Sequence, residues 1–201
     1  SPRSPTQLVE KLVIIVSMNN NQNVIVIVGV FASGLISGTL LVGISQKVSK
    51  RRNDNPNVHF LKHPPGSEEE EIQSHLHETQ KPGNLMGIQV DECTKDSLTL
   101  SAPLNLNHNV HGTAFAGSLY SVAVLSAYYL GRSWVRRQGL ALSNYVLVAK
   151  AGKIQYRKPV TESRIVAKSS LPSAPSLANF RDALIISGKS SIEFQGRVVL
   201  S

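Results

Sequence analysis

The sequence predicts an α+β domain that follows a membrane-spanning helix and a linker. Three observations predict this: an uncharged apolar stretch near the N-terminus, a long charge-free run in the middle of the chain, and strand-like segments on both sides of that run. With 201 residues, of which 41% are hydrophobic, the chain can bury one core and still carry an extension. We divide it into an N-terminal extension (1–23), a transmembrane helix (24–45), a flexible linker (46–67) and a folded domain (68–201).

The N-terminal extension carries little interpretable pattern. Its apolar run, Leu12 to Val16, is short, and the chain begins at Ser1. Met18 is followed by an Asn-rich run and resembles a natural start. The first 17 residues are therefore interpreted as an upstream artefact or a variant extension, and no function is assigned to them.

Residues 24–45 contain no charged side chain, and no polar stripe interrupts them. At about 1.5 Å per residue, such a helix spans a bilayer core of roughly 30 Å. A cleaved signal or targeting sequence is the alternative. Basic residues concentrate on the C-terminal side, which predicts a single-pass protein with its C-terminal domain in the cytosol or the mitochondrial matrix. These residues are Lys47, Lys50, Arg51 and Arg52.

The folded domain opens with a short helix and a hairpin. Ser67 precedes four glutamates, which favours a helix over 68–79. Lys81-Pro82-Gly83-Asn84 ends that helix. Strands are then predicted over 86–93 and 97–102, joined by a turn at 94–96.

A long buried helix is predicted from Thr113, whose hydroxyl can cap it, to Arg137, with Gly139 as its stop. After it we predict a strand over 144–160 that is kinked or bulged at Gly152, a strand over 164–171, a helix over 173–186 and a strand over 191–200.

The start of the long helix is the candidate site. First-turn N–H groups have no partner within a helix and carry partial positive charge. Ala116 and Gly117 are small and leave this backbone open to a ligand, and Asn109 in the preceding polar loop can add a side-chain donor. Such an arrangement would polarise a carbonyl group and hold an oxyanion.

These residues resemble a known family. The pattern Asn109-x-x-Gly112-Thr113-x-Phe115-x-Gly117-Ser118-Leu119 is similar to the start of the central helix in hotdog-fold thioesterases. The nearest resemblance is to the thioesterase family that also occurs as the C-terminal domain of bacterial acetyltransferase fusions. It covers about residues 76–201 and includes two further blocks, Ser97 to Leu104 and Ile154-x-Tyr156-x-x-Pro159-Val160.

The resemblance implies a hotdog fold, in which a curved antiparallel sheet wraps round the helix of residues 113–137. It also implies homodimers or larger homo-oligomers with an acyl-CoA cleft between subunits, and thioester hydrolysis by water without a cofactor. Asn109 is then the carbonyl or water positioner, and the N–H groups of Ala116 and Gly117 form the oxyanion hole. The substrate-binding candidates in the motif are Gly112, Phe115 and Ser118. Lys153 and Arg157 are added because their charge and their place in and near the long strand suit coenzyme A phosphates.

The chain departs from this family in three places. Many relatives have a histidine at the position of Phe115 and an acid on the central helix, whereas this helix has no acid. The general base is therefore not identified, and His111 is a candidate. Relatives place two strands after the last helix, but only about a dozen residues follow Gly188, which indicates a lost hairpin or a faulty gene model.

Charge favours an anionic ligand. The net charge is +8, and from residue 97 onward twelve basic residues face three acidic ones. The few aromatic residues do not alternate with these bases, which disfavours nucleic acid. A zinc site at His108-x-x-His111 lacks an evident third ligand, and no metal is predicted. The lone Cys93 excludes an intramolecular disulfide.

Two other interpretations stay open at this point. The missing acid favours a non-catalytic module that binds acyl-CoA or an acyl chain at a membrane. Residues 113–131 are also uncharged, so a protein with a second membrane span is a further alternative.

Overall fold

A computed structural model of the chain describes residues 8–18 and 63–199. Its helices are α1 (Glu68–Thr79), α2 (Lys81–Leu85), α3 (Ala116–Arg137) and α4 (Ala174–Ser187). Its strands are β1 (Leu8–Met18), β2 (Gln89–Cys93), β3 (Ser97–Pro103), β4 (Tyr145–Lys153), β5 (Arg164–Ser170) and β6 (Lys189–Val199).

The six strands form one sheet in the order β2-β3-β5-β6-β1-β4, and all neighbours are antiparallel. Helix α3 packs against this sheet and supplies much of the core, including Val122, Tyr129 and Leu130. Facing residues such as Leu100 and Phe194 are also fully or almost fully buried. The predicted α+β architecture, with a central helix on an antiparallel sheet, is confirmed.

The start of α1 is as predicted. Ser67 is the N-cap, and its hydroxyl accepts a hydrogen bond from the backbone N–H of Glu70. Glu68 pairs with Arg137 near the C-terminus of α3, with Nη2 and Oε2 2.5 Å apart. Arg137 also donates to the carbonyl oxygens of Thr94 and Lys95, so one side chain ties together α1, α3 and the β2–β3 turn.

Part of the N-terminal extension, to which the sequence assigns no function, forms a strand. Leu8–Met18 lies inside the sheet, between β6 and β4. The described residues 8–18 and 63–199 thus contribute strands to one sheet.

Three boundaries also differ from the prediction. Helix α3 begins at Ala116, with Phe115 as an N-cap that makes no side-chain cap hydrogen bond, so Thr113 does not cap it. The strand predicted over 144–160 ends at Lys153. The irregularity in β4 lies at Lys150, because Val13 pairs with Ala151 and Ile14 with Ala149; Gly152 is not the bulge.

The interpretation of 113–131 as a second membrane span is wrong, since α3 lies on the sheet. Of the helices in the described ranges, none has the length and apolar character needed to cross a bilayer. The predicted transmembrane helix at 24–45 lies outside the described residues, as does the linker up to residue 62.

Candidate active site

The first turn of α3 lies at the surface. Ala116 is exposed and Gly117 is half-buried, so ligands can approach this backbone. Phe115, whose side chain is 55% exposed, lies so close to Gly117 that a Cβ atom there would overlap its ring. The first turn of α3 therefore lies at the surface with one aromatic ring of the same chain beside it, and the donor role of its N–H groups stays a prediction.

Asn109 shapes the loop that leads into α3. Its Oδ1 accepts hydrogen bonds from the backbone N–H groups of His111, at 2.9 Å, and Thr113, at 3.3 Å. Its Nδ2 donates to the Thr113 hydroxyl at 2.9 Å. These are the bonds of an Asn that closes a turn. The Nδ2 group carries two hydrogens, so the predicted role toward a carbonyl or water stays a prediction.

Gly112 and Ser118 have different surroundings. Gly112 has a φ of +73° and its N–H donates to the Asn109 carbonyl at 3.0 Å, so it completes the turn in a conformation that favours glycine. Ser118 is only 7% exposed and lies on the inner side of the first helical turn. Their assignment to substrate binding stays a prediction.

Asn107 is a residue that sequence reasoning missed. It is 3% exposed, and its Nδ2 donates to the carbonyl oxygens of Met86 and Pro103, both at 2.8 Å. The backbone carbonyl oxygen of Asn107 accepts a hydrogen bond from the Phe115 N–H at 2.7 Å. Asn107 thus anchors the loop to the core and fixes the N-cap of α3. Asn107 and Asn109 are two positions apart, and the sequence does not distinguish the asparagine that anchors the loop from the one that closes the turn.

The segment after β4 reaches the same helix end. The Tyr156 hydroxyl donates to the Ala116 carbonyl oxygen at 3.0 Å, and the Val160 carbonyl accepts from the Ala114 N–H at 2.8 Å. Tyr156 was noted only as part of a family block. Gly152, at the end of β4, lies so close to Tyr120 of α3 that a Cβ atom there would overlap the hydroxyl.

Lys153 and Arg157 lie on this segment, on either side of Tyr156, and both are exposed. The Arg157 Nη2 contacts the Gln155 Oε1 at 3.3 Å. The fold therefore brings the predicted phosphate-binding segment to the helix N-terminus. A common contact point of the two cations is not seen within the described residues.

Other groups have limited chemical options. Burial raises the pKa of the Cys93 thiol to about 12, so at neutral pH it is protonated and a poor nucleophile. His111 is exposed in the loop. Within residues 8–18 and 63–199, no group of three or more His, Cys, Asp or Glu side chains is placed to hold a metal ion.

An antiparallel sheet packed on a central helix, whose first turn is open at the surface, defines a hotdog-type α+β domain. Residues 69–201 match the model of a family described as "Putative thioesterase (yiiD_Cterm)". The chain belongs to this family, which supports thioester hydrolase activity.

Several solved structures are similar to this chain at low sequence identity. A protein of unknown function from Chlorobaculum tepidum TLS is 22% identical, with a TM-score of 0.50 over 66% of this chain and 94% of that chain. A "putative thioesterase" from Shewanella oneidensis is 19% identical, with a TM-score of 0.46 over 67% and 98%. A "probable thioesterase" from Pseudomonas aeruginosa is 16% identical, with a TM-score of 0.44 over 64% and 95%.

Proposed function

We propose that the protein hydrolyses an acyl-CoA thioester with water at the N-terminus of α3. The observation that carries the proposal is the accessible first turn, where the N–H groups of Ala116 and Gly117 can point at a thioester oxygen. Family membership supports the reaction class.

In the proposed step, water attacks the carbonyl carbon and the C–S bond breaks. The products are a carboxylic acid and free coenzyme A. Negative charge develops on the carbonyl oxygen in the transition state, and fixed N–H donors stabilise it there. Asn109 orients the carbonyl or the water, and His111 is the candidate that would take the proton from water.

The test removes one N–H donor without disturbing the helix. Ala116→Pro is suited to this, because proline is favoured at the first helical position and Phe115 has the extended backbone that precedes proline. We expect kcat of the full chain on acyl-CoA to fall about 10²–10³-fold. Free thiol release is measured across short, medium and long acyl chains.

Ala174→Pro is the matched control, since Ala174 is the exposed first residue of α4 and follows an extended Ser173. It should leave kcat unchanged. Equal effects of the two substitutions, or hydrolysis unaffected by Ala116→Pro, would contradict the proposed oxyanion hole. The full chain is required because β1 lies outside residues 68–201.

A second candidate is a non-catalytic module that binds acyl-CoA or an acyl chain. It is favoured by one observation, the lack of any acidic residue on α3. Calorimetric binding of acyl-CoA without release of thiol at any chain length would support this candidate over hydrolysis. His111→Ala separates them further, because it should slow hydrolysis and leave binding unchanged.

Binding by Lys153 and Arg157 to coenzyme A phosphates is proposed from their charge and their place beside Tyr156. Charge reversal at both positions should raise KM more than it lowers kcat. A homodimer or larger homo-oligomer is proposed from the family resemblance, and light scattering of the purified chain tests it.

Membrane contact through residues 24–45 is a proposal from sequence alone. It rests on the uncharged stretch and the basic cluster that follows it. We propose that this stretch contacts lipid, with the C-terminal domain facing the cytosol or the mitochondrial matrix. Extraction of the expressed protein from membranes by detergent, but not by alkaline carbonate, would support it.

A further inference from the structure

Strand β4 is connected to the sheet through β1. In the described part of the chain, β4 pairs with β1 alone, whereas β1 also pairs with β6 from Leu8 opposite Val198 to Ser17 opposite Lys189. With β1 absent, β4 and β6 would be two sheet edges about 10 Å apart. The space between them is a slot for one extended, antiparallel strand.

The sequence of β1 suits this slot. Residues 12–16 are Leu-Val-Ile-Ile-Val, and β-branched residues favour strands. The strand is hydrogen-bonded along both sides, so its backbone supplies the pairing independently of the segment that connects it to α1.

The part of the chain that matches the thioesterase family, 69–201, contains β4 but not β1. Gly152 of strand β4 lies beside Tyr120 of α3. In the segment after β4, the Tyr156 hydroxyl donates a hydrogen bond to the Ala116 carbonyl oxygen. The strand that leads into one side of the candidate site therefore pairs, within the described residues, with a strand that lies outside the family match.

We propose that Leu8–Met18 is a separable strand ligand of the domain: it binds by backbone pairing in the slot between β6 and β4, and the β4 side of the candidate site assembles only when the slot is filled. The occupant is the chain's own segment. The strand and its slot belong to one chain, so pairing within a molecule is favoured over pairing between copies at micromolar concentration.

The first test compares Ile14→Pro with Ile14→Val in the full chain. Ile14 pairs with Ala149 on β4 and with Ile192 on β6, and proline removes an N–H from this ladder while valine keeps it. Hydrogen exchange of the β4 amides should quicken about 100-fold in Ile14→Pro. The β2–β3 amides should stay protected, and Ile14→Val should behave like the wild type.

A peptide of residues 6–19 with the natural sequence, added to the Ile14→Pro chain, should restore protection of β4. Unchanged β4 protection in Ile14→Pro, or a peptide that fails to restore it, would overturn the proposal. Neither readout depends on hydrolysis, so failure of the proposed reaction would not affect this test.

A second measurement covers the case in which Ile14→Pro loses protection throughout. A protease site placed at residues 53–57 is cleaved after the full chain has folded. The N-terminal fragment should co-elute with the domain in gel filtration and separate from it in denaturant. Release of the fragment under native conditions, with β4 still protected, would refute a bound strand.

Discussion

The two sides of the candidate site are held in different ways. The loop side is fixed by contacts to nearby parts of the sequence: Asn107 bonds to Met86 and Pro103, and Asn109 bonds to Thr113. The β4 side depends on β1, which lies more than a hundred residues earlier. We infer that the first side forms with the body of the domain, whereas the second forms only after a distant segment has paired.

Asn107→Ala should have the largest effect on stability. It leaves the part-buried carbonyl groups of Met86 and Pro103 without their donor, and each such loss costs about 1–2 kcal/mol. We expect the free energy of unfolding to fall by about 2–4 kcal/mol in urea denaturation. Asn109→Ala, in a half-exposed turn, is the control and should cost about 1 kcal/mol; equal losses would argue against Asn107 as the anchor.

Gly152→Ala attacks the β4 side instead. The new methyl group would overlap the Tyr120 hydroxyl, and because Gly152 is exposed and the hydroxyl is the far end of its side chain, we expect a cost of about 1 kcal/mol, at the low end for overpacking. The β4 amides should exchange faster while the β2–β3 amides change little. Adding Tyr120→Phe removes the overlapping oxygen and should recover part of the loss; a strictly additive double variant would disprove the contact.

Acid should weaken the ion pair between Glu68 of α1 and Arg137 of α3. Burial would raise the pKa of Glu68, but hydrogen bonds from Arg137 and Arg136 outweigh it and hold the pKa below its ordinary value. A lowered folded-state pKa gives stability that is present above the unfolded-state value, about 4.3, and is lost as pH falls through the folded-state value. The drop in Tm from pH 7 to pH 3 should therefore be smaller in Arg137→Gln than in wild type.

At neutral pH, Arg137→Gln should itself cost about 1 kcal/mol, because the pair with Glu68 is partly exposed. Lys168→Gln, which removes a longer and more exposed pair with Glu92, is the control and should leave both Tm values nearly unchanged. An identical pH response in Arg137→Gln and the wild type would rule out the Glu68 contribution.

Tyr156→Phe should have the smallest effect. It removes one hydrogen bond to the Ala116 carbonyl from a half-exposed side chain, worth about 0.5–1 kcal/mol. The substitution should change KM for acyl-CoA, because residues 153–157 lose a hydrogen bond to α3. A change in kcat alone, with KM unchanged, would assign Tyr156 a different role.

Local signals predicted much of the fold. Ser67 and the glutamates after it predicted the start of α1. Gly139, which has a φ of +74°, predicted where α3 stops, and the turn at 94–96 predicted the break between β2 and β3. Each of these depends on neighbours within a few residues. The α3 start was placed three residues early because Phe115 caps the helix through its backbone conformation, which leaves no side-chain signal.

What could not be predicted depended on distant partners. Leu8–Met18 is a short apolar run whose pairing partners, β4 and β6, lie at the other end of the chain, so no local periodicity revealed it. In the candidate site, the place of Ala116 and Gly117 at the start of α3 could be predicted from the polar loop before them, and their role as donors stays a prediction. The anchoring role of Asn107 became evident only from its burial and its hydrogen bonds to the Met86 and Pro103 carbonyl oxygens.

The position of β1 also restricts how the chain can thread a bilayer. Met18 and His63 belong to one folded body when β1 is paired within the chain, so the number of crossings between them must be even. A single pass through residues 24–45 would put β1 and the C-terminal domain on opposite sides of the bilayer. A single pass and the pairing of β1 within the chain therefore exclude each other in one molecule. A tag before Leu8 should be digested by protease together with a C-terminal tag if β1 is paired; protection of only one tag would mean that the slot is filled by another strand or left empty.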